Sequence, residues 1–98
     1  YPGPSAARQK ISALAYRTEV QARDVFDLYL LYLGGHCKDS VSKVTKEERS
    51  QAQESALSVT YDLYRDHVES YLNQEGLNSY GGKKNWNSIQ EKVIEVLS

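Results

Sequence analysis

A chain of 98 residues with formal net charge −1 holds one domain at most, and a domain of this size buries roughly two-thirds of the surface its unfolded chain exposes. Apolar residues make up 40% and charged residues 26%, which excludes the disordered regime, and the balanced charge excludes a global field that would draw in nucleic acid. The longest apolar run, residues 28–33, is far too short to cross a bilayer, and no signal peptide precedes it, so the chain reads as cytoplasmic without membrane contact.

In chain order, residues 1–4 (Tyr1-Pro2-Gly3-Pro4) read as a non-helical lead-in. Ser5 then caps a helix over residues 5–17 with Ile11, Leu14 and Ala15 at helical spacing. The pattern breaks around residues 18–21. A second helix, residues 22–33, is closed by Gly34 and Gly35. Residues 36–44 carry no consistent period and read as a loop. Thr45 and Glu48 form a capping-box pattern that starts a third helix ending near Leu57. It is mostly polar and is expected on the outside. A short break precedes a fourth helix, residues 61–72, with Leu63, Tyr64, His67, Val68, Tyr71 and Leu72 on one face. Residues 73–84 are rich in glycine and asparagine and read as a loop, after which Asn85 caps a last helix carrying Trp86, Ile89, Val93, Ile94 and Leu97. No segment alternates with period two, so the fold class is all-α: residues 1–98 form one compact bundle of about five helices.

The second helix holds the chemistry. Its stretch Val25 to Leu33 is greasy on every side except at Asp27, and a helix of that kind is usually buried. A carboxylate there needs a partner or a cleft, because an unpaired buried charge costs several kcal/mol, roughly. Arg23, four residues earlier, offers a local ion pair, and Asp24 sits where the helix dipole favours an anion. On the first helix, Lys10 and Arg17 are seven residues apart and project from nearly one face. A basic pair facing an acidic pair across a helix hairpin suits phosphate contact, although surface lysines and arginines need no such role.

Other features have plainer readings. Cys37, the single cysteine, cannot form an internal disulfide, and with His36 beside it and His67 elsewhere it has no metal-ligand spacing, so an inert thiol and no metal site are expected. Gly81-Gly82-Lys83-Lys84 lacks the spacing of a phosphate-binding loop and reads as a connector. Tyr29, Tyr32, Tyr64 and Tyr71 sit at core spacing and are expected to pack, and His67 reads as a satisfied core histidine. The chain begins at Tyr1 and contains no methionine, which suggests a fragment, an excised domain or a processed chain.

The runs Gln9-Lys10-Ile11-Ser12-Ala13-Leu14-Ala15-Tyr16-Arg17 and Gln21-Ala22-Arg23-Asp24-Val25-Phe26-Asp27-Leu28-Tyr29 resemble the K-x-x-A-L…R…R-D-x-x-D-L-Y signature of the AbiEii/AbiGii nucleotidyltransferase toxins. Residues 61–72 and 86–93 also resemble the helical tail of such proteins, less specifically. The resemblance implies that Lys10 contacts a nucleoside triphosphate, that Asp24 or Asp27 is the motif carboxylate of the catalytic constellation, and that Arg17 and Arg23 complete a substrate-binding set. It implies an acceptor such as the end of a tRNA, and pairing with a cognate antitoxin in a bacterial toxin–antitoxin or phage-defence system.

The family's Gly-Ser motif, which holds phosphate, and its Asp-x-Asp pair, which holds divalent metal, are both missing from this sequence. The chain is therefore expected to be the C-terminal helical part of such an enzyme, inactive alone and carrying no cofactor, with a divalent metal such as Mg bound by the parent protein. Two alternatives stand beside this reading. The first is a non-catalytic helical module that binds another protein, and the second is a small helical nucleic-acid binder, which the balanced charge disfavours.

Overall fold

The computed structural model describes residues 3–98, and the side chains of residues 6–38 and 40–98. The described residues form seven α-helices and one 3-10 turn: α1 Gly3–Tyr16, α2 Ala22–Leu33, α3 Lys38–Lys43, α4 Lys46–Ser58, α5 Tyr61–His67, the 3-10 turn Glu69–Tyr71, α6 Gln74–Tyr80 and α7 Lys83–Leu97. No strand occurs among them. The all-α class holds, with more helices than the expected five. The first helix begins at Gly3, so residues 3 and 4 of the expected lead-in are helical, while residues 1 and 2 lie outside the described residues.

The strongest local signals act where the sequence places them. α2 spans residues 22–33 and ends in a Schellman arrangement: His36 N–H donates to Leu31 O and Gly35 N–H to Tyr32 O, with Gly35 at φ +80°, a conformation that favours glycine. The Thr45 hydroxyl accepts from the Glu48 N–H at 3.1 Å and starts α4. The Glu48 carboxylate does not close the box locally. It accepts from Ser12 Oγ at 2.8 Å and ties α4 to α1.

The departures have physical causes. Residues 38–43 and 74–80 were expected to be loop and are the short helices α3 and α6. Six or seven residues give too few turns for an apolar period to emerge, and packing rather than propensity holds helices this short. α6 nevertheless has a legible cap, since Asn73 Oδ1 accepts from the Gly76 N–H at 2.8 Å. The fourth expected helix is not continuous to residue 72: it leaves α-geometry at Val68 (φ −122°, ψ −59°) and continues as the 3-10 turn. α7 starts two residues ahead of Asn85, and the Asn85 side chain instead donates to Gly81 O at 2.6 Å.

The polar α4 is not peripheral. Ala52 and Ala56 are fully buried and let the backbones of α1 and α7 come close. Gln90 Nε2 donates to Ala56 O at 2.8 Å and to Val59 O at 3.0 Å, tying α7 to the carbonyls at and just beyond the end of α4. Gln53 Nε2 donates to Ile94 O at 2.8 Å in the opposite sense. Small residues and cross-helix amides take the place of an apolar stripe.

The core runs from Ile11 and Leu14 of α1 through Val25 and Leu28 of α2 to Ile89, Val93 and Leu97 of α7. At one end the aromatic rings assemble: Tyr64 stacks on Trp86 with centroids 4.5 Å apart, Phe26 meets Tyr80 edge-on at 5.2 Å, and the Tyr64 hydroxyl donates to Tyr80 O at 2.8 Å. Burial, aided by nearby Glu69, holds the Tyr64 phenol well above its ordinary value. Tyr64 and the half-buried Tyr29 thus pack as expected, but Tyr32 and Tyr71 are exposed. The C-terminal half of α2 emerges from the bundle, leaving Leu30, Tyr32 and Leu33 exposed, so α2 is not buried throughout. No described helix is long and apolar enough to cross a membrane.

Candidate functional site: the α1–α2 charge cluster

α1 and α2 form a hairpin across residues 17–21, and its facing sides bring Lys10, Arg17, Asp24 and Asp27 together. Lys10 Nζ lies 2.9 Å from Asp27 Oδ2 and 3.2 Å from Asp24 Oδ1, and Arg17 Nε lies 3.2 Å from Asp24 Oδ2. The seven-residue step from Lys10 to Arg17 and the three-residue step from Asp24 to Asp27 set opposite charges on adjoining faces. The cluster contains two cations and two anions and is neutral.

Its members differ sharply in environment. Asp24 is 2% exposed, whereas the side chains of Lys10, Asp27 and Arg17 are 25%, 29% and 44% exposed. Arg17 approaches Asp24 Oδ2 off the hydrogen-bond direction, so this buried oxygen has an ion-pair neighbour at 3.2 Å but no hydrogen bond. Asp24 also sits in the first turn of α2, where the helix dipole favours its charge. Burial, the largest influence on Lys10, pulls its ammonium down, but the hydrogen bonds and charges of Asp27 and Asp24 together outweigh it and hold the group above 10.5. Lys10 stays a cation.

Asp27 does not pair with Arg23, as the four-residue spacing suggested; the cross-helix Lys10 takes it instead. Arg23 is exposed and has no ion-pair or hydrogen-bond partner among the described residues. A hollow of about 290 Å³ opens beside the cluster, lined by Ala6, Lys10, Asp27, Leu30 and Leu31. Asp24 does not reach it. Of the two candidate carboxylates, Asp27 faces this opening and Asp24 supports the cluster from behind.

The cluster does not fit a resident metal ion: both carboxylates are already taken by an ammonium and a guanidinium, and no group of three or more metal-ligating side chains converges among the described residues. Cys37 is buried with its thiol against Leu28 O at 3.7 Å, and burial pushes that thiol up, away from the reactive thiolate.

A role that sequence reasoning missed belongs to His67. Gln21 provides no side-chain cap for α2, and the open Ala22 N–H donates instead to His67 Nδ1 at 3.4 Å, a cap supplied from α5. The separation of 45 residues leaves no local signal for it. Comparison with protein-family models, with characterised proteins and with solved structures finds no match for this chain.

Proposed function

We propose that this chain is the C-terminal helical part of an AbiEii-like nucleotidyltransferase, in which Lys10 and Asp27 form the edge that closes on a nucleoside triphosphate. One observation carries the reading: Lys10, Arg17, Asp24 and Asp27, four charged residues of the quoted signature, meet in a single cluster at the mouth of a hollow.

The chemistry follows from the unequal burial. Lys10 has a flexible stem and a partly open ammonium, so it exchanges Asp27 for a phosphate oxygen as the triphosphate arrives. Asp24 keeps Arg17 and holds the hairpin closed, which makes both of them positioning residues. Asp27, released from Lys10, is left as a carboxylate at the opening for the acceptor hydroxyl. The phosphate-holding Gly-Ser and metal-holding Asp-x-Asp motifs, with their divalent metal, belong to another part of the parent protein. The acceptor in this reading is an RNA end such as that of a tRNA, and a cognate antitoxin restrains the enzyme.

The test is nucleotide transfer by the parent protein carrying Lys10→Gln or Asp27→Asn, assayed well below its melting temperature with labelled triphosphate. Loss of transfer on the order of 10²-fold per folded molecule is expected for each, the scale of removing one preorganised charge contact. The 98-residue chain alone is expected to transfer nothing. Full transfer by both variants would refute the assignment and favour a non-catalytic interaction module. That second reading has its own support in the mutual neutralisation of the cluster and in the exposed apolar side chains of Leu30, Tyr32 and Leu33.

A further inference from the structure

On the other side of Asp27 from Lys10, two hollows of about 330 and 160 Å³ share Arg23, His67 and Tyr71 and so form one groove. Glu19, Gln21 and Asp66 line its outer part, and Phe26 and Asp27 its inner end. The larger hollow falls within the roughly 300–1,000 Å³ typical of small-molecule sites. Asp27 lines both this groove and the hollow beside Lys10, so the two openings meet at one carboxylate.

Three features of the groove bear on what it could hold. Tyr71 is 79% exposed, the most exposed of the large apolar and aromatic side chains among the described residues, although its sequence position lies on a core-like face. Arg23 presents a guanidinium with no partner among the described residues. His67 accepts from the Ala22 N–H through Nδ1, which puts the proton of the neutral ring on Nε2 and leaves that nitrogen as a donor. Of the carboxylates present, Asp27 is engaged by Lys10, Asp66 shares Arg65 with Asp62, each at 3.4 Å, and Glu19 faces Arg23. The groove carries a small negative excess, and Arg23 is the cation that lines it. It offers an aromatic face, a planar cation, a ring N–H donor and the amide of Gln21.

We infer that the Arg23–His67–Tyr71 groove binds a nucleoside monophosphate unit, with the base stacked on Tyr71 and the phosphate held by Arg23 and His67. Base stacking on an exposed ring tolerates any base, and a guanidinium beside it matches phosphate geometry. The unit is either a free nucleotide or the last residue of a single strand. The inference deepens the nucleotidyl-transfer reading and rests on it for the kind of ligand, because a strand end in this groove would lie beside Asp27, across from the Lys10 side. The position of the site rests on the groove alone.

Binding of adenosine 5′-monophosphate and of a fluorescently labelled short oligoadenylate to the 98-residue chain, without metal or triphosphate, tests it. The readouts are amide chemical-shift perturbation for the first ligand and anisotropy for the second. Saturable binding is expected, with perturbations centred on Tyr71, Arg23 and His67. Tyr71→Ala should weaken it roughly 5- to 150-fold, the range set by loss of one stacked base. Tyr71→Phe, which keeps the ring, should bind within about twofold of the parent chain, and Arg23→Ala should weaken binding and flatten its salt dependence. Both Tyr71 and Arg23 are exposed, so these variants fold.

Binding of the mononucleotide alone identifies a free nucleotide as the ligand, and preference for the oligomer identifies a strand. Absence of saturable binding to either, or binding indifferent to Tyr71→Ala, overturns the inference. Perturbations confined to Lys10 and Asp27 would also overturn it, while leaving the proposed triphosphate contact standing. Conversely, binding in the groove together with full transfer by the Lys10 and Asp27 variants would refute the catalytic reading and keep the groove.

Discussion

Asp24 and Asp27 belong to the same cluster, yet their burial predicts different consequences when each is replaced by asparagine. Asp24→Asn removes the charge that faces two cations, each at 3.2 Å, from a position that is 2% exposed. Breaking a buried ion pair costs about 3–5 kcal/mol when the remaining charge is stranded. Here the stranding is incomplete: Lys10 keeps Asp27 at 2.9 Å, and the side chain of Arg17 is 44% exposed and can be hydrated. About 2 kcal/mol is the expected loss, near the worth of hydrogen bonds to a charged group. For a domain of this size that lowers Tm by about 8–16 °C. Asp27→Asn removes one contact from a 29% exposed carboxylate while Lys10 retains Asp24, so about 0.5 kcal/mol is expected. Urea denaturation followed by the fluorescence of Trp86, with unchanged m-values, measures both. Equal losses, or a larger loss for Asp27→Asn, would refute the division between a supporting Asp24 and an outward-facing Asp27.

Lys10 is raised above its unfolded value of 10.5, so its stabilising contribution is complete below pH 10.5 and is lost as pH rises through the folded value. The stability difference between the parent chain and Lys10→Gln, measured by urea melts, should therefore hold constant from about pH 8 to 10 and shrink above that range. The buried Cys37 thiol, pushed up by its burial, should react with a thiol reagent at pH 8 on the order of 10²-fold more slowly in the native chain than in denaturant, and comparable rates would place it outside the core. At Gly81 the φ of −81° suits any residue, but a Cβ there would sit 2.6 Å from Leu77 O, so thermal melts of Gly81→Ala should show a loss of roughly 1–3 kcal/mol.

What the sequence determined by itself is the class and the long elements. Twelve residues of α2 with paired glycines after them, and Thr45 with its cap on Glu48, are local patterns in which neighbouring positions carry the whole signal. The seven-residue spacing of Lys10 and Arg17 and the proximity of Asp24 to Asp27 were equally legible, because helical periodicity alone sets which face each one occupies. Tertiary structure decided the rest. Asp27 chose Lys10 over Arg23 because two packed helices bring the ammonium closer than the flexible partner one turn away, and no spacing along a single helix encodes that competition. α3 and α6 read as loop, despite the Asn73 cap of α6, because helices of six and seven residues are stabilised by what they pack on. Tyr71 came to the surface because the chain left α-geometry at Val68, which rotated a core-spaced side chain out over the groove, and His67 became the cap of a helix 45 residues away. Periodicity assigns a side chain to a face, but whether that face meets a neighbour, a cleft or water depends on where the other helices lie.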